Sequence, residues 1–119
     1  MRSPLIKLAA INGAVAVALG AFGAHALKEM LATHGSTSTW QTASLYHLVH
    51  SPVLLIIALL PSTPKVTFPL FLSGIALFSG SLYLLSITQL KPLGIVTPIG
   101  GLLLIIAWLS LAMNRKSSP

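Results

Sequence analysis

The residues best able to do chemistry in this chain are four histidines, and they have almost no acidic company. His47 and His50 stand three apart, so on a helix they lie near one face. Neutral imidazole ligates zinc, copper or iron, and this pair would supply two ligands. A third would have to be His25 or Glu29. The same side chains could ligate haem or hydrogen-bond a quinone headgroup. Tyr83 and Thr97 are expected at the same depth and complete the candidate ligand or partner site. The competing role is structural. Trp40, Ser44, His47 and Ser51 form one stripe, which would hydrogen-bond to the first helix. His25 lies nearer the Phe22 face, toward headgroups or a partner subunit. His34 sits among Gly35 and a Ser/Thr run and is expected to be a solvated loop residue.

Most reaction classes lack their residues. Glu29 is the only acidic residue, whereas carboxylate-pair hydrolysis, proton relays and cation-coupled transport need several. The i, i+4 spacing of an H-E-x-x-H zinc site is absent, as are a G-x-S-x-G elbow, a phosphate loop and a dinucleotide fingerprint. No cysteine is present, which excludes disulfides and thiolate chemistry. No catalytic constellation remains and no cofactor is called for, so a non-enzyme is expected.

The elements that must position these residues are membrane spans. Mean hydropathy is +0.91, and 7% of residues are charged against roughly 25% in soluble domains. Apolar stretches cover residues 5–27, 44–60, 66–87 and 93–113. A hydrocarbon core about 30 Å thick takes around 20 helical residues. The first stretch follows Arg2 and Lys7 and contains Ala24-His25-Ala26, like a signal peptide, but exceeds the usual ~7–15-residue apolar region. It is expected to be a retained helix. Short links, two of them proline-marked, join antiparallel neighbours. The fold class is thus all-α: one domain, a four-helix antiparallel transmembrane bundle.

The formal charge of +6 comes from cations near span ends, where they meet lipid headgroups rather than nucleic acid. Arg2, Lys7, Lys65, Arg115 and Lys116 fall on the side of the termini, against Lys28 and Lys91 on the other. That bias predicts cytoplasmic termini in a plasma membrane. The histidines, Ser79, Ser81, Tyr83 and Thr97 then share the outer half, and the inner half is nearly featureless. Small residues let helices approach where lipid offers no hydrophobic drive. Ala9, Gly13, Ala16, Gly20 and Ala24 form such a stripe on the first helix, opposite Leu8, Ile11, Val15, Leu19 and Phe22. Ser73, Ala76, Gly80 and Tyr83 mark the third helix. Gly94, Thr97, Gly101, Trp108 and Ala112 mark the fourth. Gly13, Gly20, Gly80, Gly94 and Gly101 are therefore the expected packing glycines.

Four strings occur in a telling order: Gly20-Ala21-Phe22-Gly23-Ala24-His25-Ala26-Leu27; Trp40-Gln41-Thr42-Ala43 with Tyr46-His47 and His50; Phe78-Ser79-Gly80-Ser81-Leu82-Tyr83; and Leu93-Gly94-Ile95-Val96-Thr97-Pro98-Ile99-Gly100-Gly101 followed by Trp108. Together they resemble family 423 of the domains of unknown function, with its bacterial YgdD and YwdK types and its animal transmembrane protein 256 type. The resemblance spans nearly the whole chain. It implies a four-helix integral membrane protein without an assigned activity, and it supplies no catalytic residues; the expected location is the bacterial inner membrane. Ser51-Pro52 departs from the small apolar residue relatives carry after the second histidine, which predicts a kink after His50. The expected role is an oligomer or an accessory subunit of a membrane complex. The alternatives are a metal, haem or quinone site in the outer half, and a small-solute transporter or channel.

Overall fold

A computed structural model describes residues 2–113 and contains five helices. Helix α1 is Arg2–Ala24, α2 is Lys28–His34, α3 is Thr37–Leu59, α4 is Thr67–Thr88 and α5 is Leu93–Ala112. Four of them, α1, α3, α4 and α5, are long and apolar enough to cross a membrane. Arg115 and Lys116 lie outside the described residues.

The break after α1 is sharper than hydropathy suggests. The Leu27 N–H donates to the Phe22 carbonyl at 2.8 Å, which closes the helix before its apolar run is complete. The chain then turns into the short α2. Gly35 ends α2 in the left-handed region, at φ +67°, where a residue without Cβ is favoured. The neighbouring Ser36 N–H donates to the Leu31 carbonyl at 2.8 Å. Helix α3 begins at Thr37, seven residues before its apolar run at Ser44. Hydropathy locates the hydrocarbon, not the first helical hydrogen bond, and the opening turns of α3 are polar. Pro52 lies inside α3 without ending it. Its missing N–H leaves Leu48 without the usual donor. The adjoining carbonyls of Tyr46 and His47 take side-chain bonds from His50 and Ser51, at 2.8 and 2.7 Å. Side-chain donors of this kind help a helix tolerate proline in lipid.

The packing follows chain order. α1 lies on α3, α3 on α4 and α4 on α5, while α2 crosses the ends of α1, α3 and α4. The bundle is consequently open. α1 and α5 each have one long helix as backbone neighbour, and α1 and α4 do not close against each other. Two apolar clusters hold the layer together. One surrounds Leu54, Phe71, Ile75 and Leu104. The other surrounds Leu31, Trp40, Ala43 and Tyr83 beside α2. On α3 the stretch from His47 to Ser51 lies between them.

Glycines set the close approaches, at Gly20 as expected and at Gly23, Gly74 and Gly100, which were not. A Cβ at Gly100 would lie 2.7 Å from the Leu77 carbonyl carbon and the Phe78 Cα, so α5 rests directly on the α4 backbone. A Cβ at Gly74 would meet Leu104 at 2.8 Å. One at Gly23 would run into the Trp40 indole, and one at Gly20 would stand 3.1 Å from Ser44 Oγ. Gly101 makes ordinary contact with Phe78 at 3.5 Å. Gly13, Gly80 and Gly94 have nothing within 4 Å of such a carbon, so the packing expected there is not made. The reason is topological. α4 has two long neighbours and must use two faces, with Ile75 and Ser79 buried beside α3 and Gly74 beside α5. Its Ala76 and Gly80 are left facing a gap. On α1, Ala9 and Ala16 are buried as expected, but Ala24 is exposed.

Candidate functional site

The polar residues of the spans form a layer of matched hydrogen bonds. Its centre is buried His47. Tyr83 Oη lies 2.9 Å from His47 Nδ1, and Asn12 Oδ1 lies 3.0 Å from His47 Nε2. Asn12 Nδ2 donates to Ser51 Oγ at 2.9 Å, and the Ser51 hydroxyl donates to the His47 carbonyl at 2.7 Å. These donors assign the tautomer. The Asn12 carbonyl oxygen can only accept, so Nε2 carries the proton and Nδ1 accepts from the Tyr83 hydroxyl. α1, α3 and α4 each contribute at least one group. In hydrocarbon an unpaired polar group costs several kcal/mol, which explains why every side-chain nitrogen and oxygen in this chain of bonds has at least one partner. Among the described residues no buried side-chain nitrogen or oxygen lacks a partner.

His50 points elsewhere. Its Nδ1–H donates to the Tyr46 carbonyl, and its Nε2 accepts from the Trp108 indole N–H at 3.2 Å. This is the polar link between α3 and α5, with the His50 and Trp108 rings edge-on at 6.0 Å. His47 and His50 share a helix but serve opposite neighbours, and both nitrogens of each ring are already bonded. No three His, Cys, Asp or Glu side chains converge among the described residues. The metal set of His47, His50 and His25 or Glu29 is not assembled. His25 is exposed in the turn after α1, away from this layer.

Thr97 joins Ser81 across α4 and α5 at 2.6 Å. Ser79 donates to the Ala43 carbonyl at 2.8 Å, joining α3 to α4. His34 is not a free loop residue. It is half-buried, its Nδ1–H donates to the Ser86 carbonyl at 3.2 Å, and its own carbonyl accepts from Gln89 Nε2 at 2.9 Å. The opposite half of the bundle is not featureless either, since Thr67 and Ser110 pair there at 2.8 Å. Asn12 belongs to this layer although the histidine pattern does not point to it. A single amide in a long apolar run was its signal, because such a group must find a partner in lipid.

Two lateral clefts flank this layer. One lies between α1 and α4 and has a volume of about 390 Å³; Asn12, His47, Ser79 and Tyr83 form its polar wall. The other, about 520 Å³, opens between α3 and α5 beside His50 and Trp108.

Long apolar helices around a buried hydrogen-bonded layer define a small polytopic α-helical membrane protein. The four sequence strings meet pairwise in space: Gly23 receives Trp40, Phe78 receives Gly100, Ser81 receives Thr97 and His50 receives Trp108. The chain belongs to DUF423, a family of proteins of unknown function whose model matches residues 19–101. A UPF0382 membrane protein of Staphylococcus aureus strain bovine RF122 is 44% identical over 110 residues, 89% of each chain. The UPF0382 membrane protein YwdK of Bacillus subtilis is 42% identical over 114 residues, 91% of this chain and 92% of that one. No solved structure matches.

Proposed function

We propose that this protein is a non-enzymatic subunit of the bacterial inner membrane that assembles laterally, with both termini in the cytoplasm. The observation that carries this reading is the open helix layer. α1 and α5 each have one long helix as backbone neighbour and carry exposed apolar side chains, among them Ile11 and Val17 on α1 and Ile95 and Leu102 on α5. Such edges suit a second copy or another polytopic subunit, because helix association in lipid depends on packing rather than on water exclusion. A non-enzymatic role is supported by what the polar residues do. His47, His50, Tyr83 and Thr97 are all engaged in helix-to-helix bonds. The orientation rests on the excess of Lys and Arg on the terminal side.

Mass measurement of the intact particle in lipid nanodiscs, with crosslinking in whole cells, tests the assembly. The expected result is a defined oligomer or a stoichiometric membrane partner. A strictly monomeric particle with no co-purifying partner refutes it.

A further inference from the structure

The cleft between α1 and α4 has the makings of a ligand site that stands independently of any assembly. Its volume of about 390 Å³ falls within the usual range of ~300–1,000 Å³ for small-molecule pockets. Leu8, Ile11, Val15 and Leu72 line it on the apolar side. Asn12 lies midway along α1, about 15 Å from its N-terminal end at 1.5 Å per residue. Polar chemistry is therefore offered to the cleft near the bilayer midplane, where lipid tails have nothing to pair with it.

The spare valence there is specific. Ser51 uses its proton on the His47 carbonyl, so its oxygen accepts from Asn12 and fixes the amide orientation. One Asn12 N–H is thereby satisfied, and the second has no partner among the described residues. Asn12 is half-buried and lines the cleft. An N–H in that position calls for an uncharged acceptor. No charged side chain lines the cleft, so an anionic headgroup would be buried there without a counter-ion. A phospholipid also keeps its ester carbonyls at the interface, well short of Asn12. A flat, neutral carbonyl-bearing ring on a branched apolar tail meets both constraints.

We propose that this cleft binds a prenylated quinone, its ring carbonyl accepting from Asn12 beside Tyr83 and its tail running along the apolar wall between α1 and α4. Gly80 makes the space. It lines the cleft, and a Cβ there would meet nothing within 4 Å.

The test uses full-length protein in nanodiscs, with Trp108→Phe leaving Trp40 as the single tryptophan. Trp40 stands edge-on to Tyr83 at 4.7 Å and reports on a ring bound nearby. A naphthoquinone carrying a geranyl tail is titrated against emission, with geraniol and geranyl phosphate as competitors. Saturable quenching is expected, with neither competitor displacing the probe efficiently. Gly80→Leu should weaken binding on the order of tenfold or more while leaving the thermal unfolding transition in place. Should that variant unfold, Ala76→Leu, on an exposed position lining the same cleft, serves instead. Non-saturable quenching, unchanged binding in the cleft-filling variant, or equal competition by geraniol overturns the proposal. So does efficient disulfide crosslinking of Gly80→Cys between two copies, which would place a second protomer in the cleft.

Discussion

Gly100→Ala should be the most damaging single-methyl change in the bundle. The added Cβ would lie 2.7 Å from the Leu77 carbonyl carbon and the Phe78 Cα, where ordinary contact begins at 3.4 Å. These are backbone atoms and cannot rotate away as a side chain would. α5 must therefore back off from α4 by about 1 Å, and a radial gap of that size forfeits roughly a quarter to a half of each dispersion contact it opens. Leu104 on Gly74 and the Ser81 to Thr97 bond lie on the same seam. Overpacking of this sort costs about 1–3 kcal/mol, and a stretched interhelical bond adds ~0.6 kcal/mol. These sum to about 1.6–3.6 kcal/mol, offset by up to ~1 kcal/mol from replacing a helical glycine with alanine, for a net loss of roughly 1–3 kcal/mol. Gly80→Ala and Gly13→Ala add the same methyl where nothing lies within 4 Å, so only the gain applies. Reversible unfolding in mixed micelles, followed by tryptophan emission, reads all three. Gly100→Ala within ~0.5 kcal/mol of the parent, a change typical of an uncommitted surface site, would refute the assigned α4–α5 seam.

His47→Leu should cost about 1–2 kcal/mol, because two bonds averaging ~0.6 kcal/mol each are lost and Asn12 and Tyr83 are left short of a partner; the same micelle titration checks it, and a silent variant would mean the layer is not cohesive. His25→Ala should leave stability within ~0.5 kcal/mol of the parent, since His25 is exposed; a larger loss would point to a contact made only in an assembly. A reporter fused after Pro119 should be active in its cytoplasmic form alone, and activity of the exported form would reverse the orientation.

Sequence alone determined the solvent and therefore the fold class. Lipid demands about 20 apolar residues per crossing, and no other architecture uses four such runs joined by short polar links. The same poverty of polar groups made His47 and Tyr83 visible, because a polar side chain in lipid has to find a partner. Tertiary structure decided which partners. His47 and His50 are near neighbours on a helical wheel, yet one serves α1 and α4 and the other α5, since α3 lies inside the layer with neighbours on more than one side. The glycines divided for the same reason. A small-residue stripe marks where a helix can be approached, and only the order of helices in the layer decides whether a neighbour is there. Gly100 is pressed against Phe78, whereas Gly80, in an equally small stripe, faces a cleft. Asn12 belonged to both levels: its residue type demanded a partner, and only the approach of α1 to α3 brought His47 and Ser51 within reach.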